Sequence, residues 1–206
     1  MSAADPAPRR LTPFDNPIAR FLAGRFGVGL FLISLGMLFA ATLFGFLVIR
    51  IQNHDAWPND LPGLPSLLWV STVILMLSSV TMQGAVRAAR GDHGPRLTMH
   101  MTLTLILALS FLALQSLCWH AWFSVVTERW NESAEYRFAL TNFYILTGLH
   151  ALHVVGGLVP ITLVTRRALG RGYSPEDCAG VAYCAMYWHF LDGVWVILFA
   201  TLLIGT

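Results

Sequence analysis

Five long apolar segments run along the chain and are separated by short polar stretches. A helix rises about 1.5 Å per residue, so about 20 apolar residues cross the roughly 30 Å of hydrocarbon in a bilayer. Each segment is long enough to do so, and the pattern predicts five transmembrane helices. They cover residues 27–49, 67–86, 99–125, 138–164 and 179–204.

Neither a soluble helical bundle nor a membrane β-barrel fits this pattern. A soluble bundle needs polar faces on its outer helices, and too few polar residues remain to form them. The strands of a membrane barrel alternate apolar and polar residues with a period of two, which these segments do not do. We therefore expect an all-α polytopic membrane protein. It would form a single domain over residues 26–206, preceded by an irregular cytoplasmic tail at residues 1–25, where four prolines fall.

The arginines are concentrated on one side of the predicted membrane. All 13 basic residues are arginine, and only Arg50, Arg129 and Arg137 lie on the opposite side, together with several acidic residues. Because positively charged segments stay in the cytoplasm, we expect a cytoplasmic N-terminus and an external C-terminus in a bacterial-type plasma membrane. The arginines on the cytoplasmic side are Arg9, Arg10, Arg20, Arg25, Arg87, Arg90, Arg96, Arg166, Arg167 and Arg171.

The composition excludes several classes of function. Only 12% of the residues are charged, against about a quarter in an average soluble domain. The net charge of +2 gives no basic patch for nucleic acid, so we expect no nucleic-acid partner.

The three cysteines, Cys118, Cys178 and Cys184, form no C-x-x-C motif and do not have the spacing of a zinc site. The chain also has no nucleophile elbow, H-E-x-x-H motif or phosphate loop, so we expect no catalytic residue in it.

Polar side chains inside the predicted spans are few, and they are the candidate functional residues because polar groups are costly in hydrocarbon. Thr147, His150 and His153 follow one another at intervals of three on the fourth helix and share a face. His189 and Asp192 are three residues apart on the fifth helix, so together they can reach a neighbouring helix. The candidate interhelical polar network comprises Gln115, Thr147, His150, His153, His189 and Asp192.

Three interpretations of these side chains remain open. A haem or metal site is disfavoured for two reasons. Two haems would need histidines several turns apart on each helix, but His150 and His153 are less than one turn apart. A di-iron bundle needs several carboxylates, and Asp192 is the one acid within the predicted spans. A proton pathway needs a chain of titratable groups across the bilayer, which one carboxylate does not supply. Hydrogen bonds that fix the register of the helices fit the spacing best. We therefore expect no metal and no cofactor bound by this chain.

Two stretches resemble signature sequences of a known family. The fourth segment contains T-G-L-H-A-L-H-V-V-G-G, from Thr147 to Gly157, and the fifth contains Y-W-H-F-L-D-G-V-W, from Tyr187 to Trp195. Both are similar to the T-G-x-H-x-x-H-V-x-x-G and Y-W-H-F-x-D-x-x-W patterns of subunit III of haem-copper respiratory oxidases. Weaker similarities in the first three segments extend the resemblance over nearly the whole chain.

The resemblance implies the short, five-helix form of that subunit. Such a subunit is a cofactor-free accessory part of a cytochrome c or quinol oxidase and supports the stability and lipid packing of the catalytic subunit. By resemblance, the partners are subunit I and subunit II, which hold the haem and copper, and oxygen is reduced to water. Bound phospholipid is also implied. Arg25, Arg166 and Arg167 are candidate phosphate contacts, because a guanidinium group binds phosphate through two parallel hydrogen bonds.

Two positions depart from the family pattern. Members usually carry a glutamate after the serine of the first helix, where this chain has Leu35, and another in the third helix, where it has Cys118. In the family these acids lie near a lipid-filled cleft, and the subunit is thought to support proton uptake. Their loss leaves a subunit III-like accessory protein of a nitric oxide reductase as an alternative. A free-standing transporter or channel is a second alternative, although the segments show no internal repeat.

Overall fold

The chain folds into five long α-helices. A computed structural model describes residues 16–53, 63, 65–129, 134–170, 173 and 178–205. All five helices are long and apolar enough to cross a membrane, which confirms the predicted all-α fold with five membrane helices. The helices are α1 (Pro17–Gln52), α2 (Leu67–Arg90), α3 (Gly94–Arg129), α4 (Ala134–Leu169) and α5 (Ala179–Gly205).

Helix α1 begins at Pro17 rather than at residue 27, so residues 17–25 are helical and not part of an irregular tail. Oδ1 of Asn16 accepts a hydrogen bond from the backbone N–H of Ile18 at 2.9 Å, and proline suits the first helical position. The hydropathy pattern did not include residues 17–25 because Arg20 interrupts the apolar run. An exposed arginine does not oppose a helix that continues beyond the hydrocarbon. Residues 1–15 of the predicted tail lie outside the described residues.

Other helices also extend past the predicted limits. Helix α2 continues to Arg90 rather than residue 86, and α4 continues to Leu169 rather than residue 164. Both end with two arginines in the last turn, where positive charge interacts favourably with the helix dipole. Hydropathy indicates which residues lie in the hydrocarbon. The ends of each helix depend instead on its capping residues and can lie beyond the hydrocarbon.

A tight turn joins α2 to α3. The backbone N–H of Gly91 donates to the carbonyl of Arg87 at 3.0 Å, and that of His93 donates to Ala88 at 3.0 Å. Asp92 between them has a φ of 54°, in the left-handed region that aspartate tolerates better than most residues. So short a turn makes α2 and α3 antiparallel neighbours.

Helices α2, α3, α4 and α5 form a four-helix ring in that order, and α5 closes the ring against α2. Helix α1 lies outside the ring, mainly against α5, and is the least buried of the five spans. At one end of the bundle α1, α3 and α5 begin while α2 and α4 end. We term this the arginine-rich end, because it carries Arg25, Arg90, Arg96, Arg166 and Arg167.

The surface of the bundle is apolar, while its interior contains polar side chains. Phe26 and Phe44 are 69% and 68% exposed, whereas Ser71, Ser78 and Thr104 are completely buried. A soluble protein would show the opposite distribution. Helices surrounded by lipid expose apolar side chains and place small polar residues at their contacts, so the chain is an integral membrane protein.

Candidate functional site

Hydrogen bonds between side chains join α2 to α5. Nε1 of Trp195 donates to Oγ1 of Thr72 at 3.0 Å, and Nε1 of Trp188 donates to Oγ of Ser78 at 2.9 Å. The helices are antiparallel, so a step from Thr72 to Ser78 on α2 corresponds to a step from Trp195 to Trp188 on α5. Both bonds therefore specify one register. We term this contact the α2–α5 polar interface, and it comprises Thr72, Ser78, Ser79, Trp188, His189, Asp192 and Trp195.

His189 and Asp192 lie together in this interface. Nδ1 of His189 shares a hydrogen bond with Oγ of Ser79 at 2.6 Å, and Oδ2 of Asp192 lies 3.9 Å from the same nitrogen. A serine–histidine–aspartate catalytic triad needs its serine and aspartate at opposite ring nitrogens. Because Ser79 and Asp192 both face Nδ1, this group cannot act as such a triad, and its geometry suits the joining of two helices.

His150 is fully enclosed in the ring of helices. Its side chain is only 1% exposed. The centroid of its imidazole lies 5.0 Å from that of Trp195, 6.2 Å from that of Phe111 and 6.3 Å from that of Phe39. Three aromatic side chains from α1, α3 and α5 therefore surround a histidine carried by α4.

His153 lies in a different environment, although it is one turn away. Its Nδ1 is 2.7 Å from the carbonyl oxygen of Leu149 on its own helix, and Phe39 meets its ring edge-on at 5.2 Å. The contact with α5 runs through the backbone, since the hydroxyl of Tyr187 donates to the carbonyl of His153 at 2.9 Å. The imidazole therefore does not make the interhelical bond itself.

Thr147 and Gln115 complete the six predicted residues. The hydroxyl of Thr147 donates to the carbonyl of Phe143 within α4 at 2.8 Å. Gln115 is buried on α3. Among the described residues, the structure brings His189 and Asp192 together, but its hydrogen bonds do not link all six side chains into one network.

A cleft of about 160 Å³ opens between α1, α2 and α5 near the arginine-rich end. We term it the arginine cleft. Its polar lining residues are Arg25, Gln83, Arg90 and His189, and the rest of its lining is mainly apolar. Of the three arginines predicted to contact phosphate, Arg25 lines this cleft. Arg166 and Arg167 instead lie in the last turn of α4.

Apolar packing surrounds both positions that depart from the family pattern. Leu35 is 5% exposed and lies in an apolar cluster with Phe39, Phe46 and Leu198. Cys118 is 1% exposed and belongs to the main core of the bundle. A carboxylate at either position would need a partner for a buried charge, whereas leucine and cysteine suit these apolar surroundings.

The described residues contain no group of three or more histidine, cysteine, aspartate or glutamate side chains placed to hold a metal ion. The predicted absence of a resident cofactor nevertheless stays a prediction.

Sequence reasoning missed the partners that α2 contributes. Ser and Thr in membrane helices commonly bond a carbonyl of their own helix, as Thr72 does with Leu68 at 2.8 Å. Serine and threonine residues along an apolar helix therefore only weakly predict a hydrogen bond to another helix. The involvement of Ser78 and Ser79 becomes evident only once α2 is paired with α5.

Known proteins resemble this chain over most of its length. The family model described as Cytochrome c oxidase subunit III matches residues 18–205. A probable cytochrome c oxidase subunit 3 of Nocardia farcinica is 33% identical over 82% of this chain and 82% of its own length. Cytochrome c oxidase subunit 3 of Synechocystis is 34% identical over 84% of this chain and 72% of its own length.

The similarity to one further relative extends almost from end to end. Cytochrome c oxidase subunit 3 of Corynebacterium diphtheriae is 31% identical over 95% of this chain and 93% of its own length. The family match covers all five helices, including both stretches that carry the histidines. The chain belongs to the cytochrome c oxidase subunit III family.

Proposed function

We propose that this chain is the accessory subunit III of a haem-copper terminal oxidase in aerobic electron transport. The observation that carries the proposal is the family match over residues 18–205, which spans the whole bundle. The partner subunits I and II hold the haem and copper, and subunit I reduces oxygen to water. This chain carries no redox centre and takes part in the oxidoreductase as a non-catalytic subunit.

Its role is to stabilise the catalytic subunit and the lipid packed against it. The α2–α5 polar interface supports this role, because two indole–hydroxyl bonds hold the helices in one register. The outer faces are apolar and offer broad surfaces for packing within the membrane. A rigid bundle with an apolar surface is suited to support a larger membrane subunit.

We further propose that the N-terminus lies in the cytoplasm and the C-terminus outside, in a bacterial plasma membrane. The arginine-rich end supports this orientation under the positive-inside rule. Phospholipid phosphates would then be bound from the cytoplasmic leaflet, with Arg25 acting inside the arginine cleft and Arg166 and Arg167 at the end of α4. Arg90 adds a second guanidinium to the same cleft.

A specific observation favours a second candidate, an accessory subunit of a nitric oxide reductase. Leu35 and Cys118 are buried. By the resemblance to the family's signature sequences, they stand where members usually have glutamate. A partner that does not pump protons would not need those carboxylates. The two candidates share the fold and differ in the gas that the complex consumes.

Purification of the complex separates these candidates. The chain would be tagged, the membranes solubilised gently, and the co-purifying proteins examined by mass spectrometry, by reduced-minus-oxidised spectra and by gas uptake. We expect a haem-copper subunit and oxygen consumption. Nitric oxide turnover without oxygen uptake would replace the oxidase with the reductase. A chain that emerges alone and colourless would overturn both candidates.

A further inference from the structure

Gln115 lies on the face of α3 that packs against α4, between the level of the Phe111–His150 contact and that of the Trp119–Tyr144 contact. At one side of Gln115 the hydroxyl of Tyr144 donates to the carbonyl of Trp119 at 3.4 Å. At the other side the ring of Phe111 lies 6.2 Å from that of His150. Gln115 is four residues from both Phe111 and Trp119, so all three share one face of α3. In this antiparallel pair, Gln115 is therefore level with the turn of α4 from Thr147 to His150.

The polar atoms at this level are buried and unpaired. Gln115 is 2% exposed and His150 is 1% exposed. Oε1 and Nε2 of Gln115 and both ring nitrogens of His150 form no hydrogen bond with the described residues. Native interiors rarely leave buried polar atoms without a partner, and lipid offers no substitute for one.

The chemistry of the two side chains identifies a suitable ligand. The amide of Gln115 has a donor and an acceptor, as has the neutral imidazole of His150. The two groups form no hydrogen bond with each other, so each needs another partner. A water molecule donates twice and accepts twice, and buried waters typically make about three such bonds.

Thr147 provides a third polar contact. Its hydroxyl proton is directed to the carbonyl of Phe143, which leaves its oxygen able to accept. The rings of Phe111 and Trp195 pack beside His150, with centroids 6.2 Å and 5.0 Å from that of its imidazole. Three buried polar side chains thus fall at one level of the α3–α4 contact.

We propose that Gln115 and His150 bind a water molecule that bridges α3 and α4 inside the membrane. This inference depends on the packing of the two helices and not on the proposed oxidase function. The water satisfies both side chains at once, so the loss of either one leaves the other unpaired.

Electron cryo-microscopy of the complex containing the full chain, in lipid nanodiscs and at a resolution that shows ordered water, tests the proposal directly. We expect density for one water within about 2.7–3.2 Å of the Gln115 amide and a ring nitrogen of His150. A direct bond between the amide and the imidazole, or a gap without density, would overturn the proposal. The wild-type complex suffices for this measurement.

A double-mutant cycle provides an independent test. Gln115→Leu and His150→Phe should each lower the thermal midpoint of the complex, because each leaves one buried polar partner. The double variant should recover much of the loss, since it removes both polar groups together. Additive losses, or no loss in the single variants, would contradict a shared water.

Ser116→Ala is the matched control for the cycle. Ser116 is the neighbour of Gln115 on α3, but it is exposed, and its hydroxyl donates to the carbonyl of Leu112 on the same helix at 2.9 Å. Its removal should leave the thermal midpoint unchanged. Because the cycle follows thermal stability, it gives the same answer whether the complex reduces oxygen or nitric oxide.

Discussion

At the scale of single residues, indole and hydroxyl groups form polar contacts in an apolar interior. Trp188 is 1% exposed, yet its Nε1 has a partner in Ser78, whose hydroxyl also donates to the carbonyl of Leu75 at 2.6 Å. In lipid an unpaired indole N–H would have no water to bind. The bond therefore both satisfies the tryptophan and selects the position of α2 against α5.

Trp188→Phe should destabilise the bundle by about 0.6–1.5 kcal/mol, because it keeps an aromatic ring but removes the hydrogen bond. Ser78→Ala should cost a similar amount, and the double variant little more than either. The measurement is the thermal midpoint of the purified complex. Trp69→Phe is the control, since Trp69 is 56% exposed on the outer surface. An unchanged midpoint for Trp188→Phe would contradict the prediction.

Asp192→Asn should leave assembly largely intact, whereas Asp192→Leu should disrupt it. Oδ2 of Asp192 lies 3.9 Å from Nδ1 of His189, and asparagine keeps a polar oxygen of the same reach there. Leucine instead places an apolar side chain beside the imidazole and leaves it with Ser79 alone. The amount of chain that co-purifies with its complex measures the difference. Normal assembly with an equal loss of turnover in both variants would favour a proton pathway instead.

Arg25→Gln should reduce the phospholipid that remains bound to the purified complex while leaving assembly unchanged. The side chain lines the arginine cleft, and glutamine cannot supply the charge or the paired donors that suit a phosphate. Lipid extraction followed by mass spectrometry measures the change. Arg96→Gln is the matched control, because Arg96 is exposed at the same end without lining the cleft. Equal lipid content in both variants would argue against a phosphate site at Arg25.

At the scale of helices, the contact between α4 and α5 depends on a close approach at Gly157. A Cβ atom added there would lie 2.9 Å from Cε1 of Tyr187 and 3.3 Å from ring atoms of Trp188. Both rings belong to α5 and Trp188 is fixed in the core, so the neighbours have little room to move. Small residues at membrane helix contacts allow this kind of approach.

Gly157→Ala should therefore destabilise the bundle by about 1–3 kcal/mol, through overpacking of the α4–α5 contact. Gly193→Ala on α5 is the matched control, because nothing lies within 4 Å of its added Cβ. Alanine is also the better helix former by about 1 kcal/mol, so the control should be neutral or slightly stabilising. Thermal midpoints of the two variants compare these effects, and equal midpoints would show that the rings shift easily.

At the scale of the whole molecule, the helices sort charge toward one end. Arg87 and Arg90 fall in the last turn of α2, Arg166 and Arg167 fall in the last turn of α4, and Arg25 lies near the start of α1. Arg137 is an exception, since it lies near the start of α4 at the opposite end. The antiparallel order brings the other five together although they are far apart in sequence. This asymmetry distinguishes the two ends of an otherwise apolar bundle.

The asymmetry predicts the orientation of the chain in the membrane. Alkaline phosphatase is active outside the cytoplasm, so a fusion after Thr206 should be active and a fusion at the turn after Gly91 should be inactive. The charge distribution requires this result if the arginine-rich end faces the cytoplasm. The reverse pattern of activity would place the N-terminus outside.

The sequence by itself determined the number of membrane helices and the identity of the polar residues within them. Hydrocarbon cannot bond to the backbone, so every spanning segment must pair its own N–H and C=O groups as a helix. A local property, hydropathy, was therefore enough to locate each helix. Hydropathy did not locate the start of α1 at Pro17. A helix end outside the hydrocarbon is determined by its capping residue, which is Asn16 here.

Only the tertiary structure decided which polar residues meet. His189 bonds to Ser79, 110 residues away, while His153 turns to a carbonyl of its own helix. Lipid solvates every apolar face of a helix equally well, so hydropathy does not reveal which faces pair. That choice depends on the shapes of side chains and on hydrogen bonds between helices, which exist only once the bundle has formed.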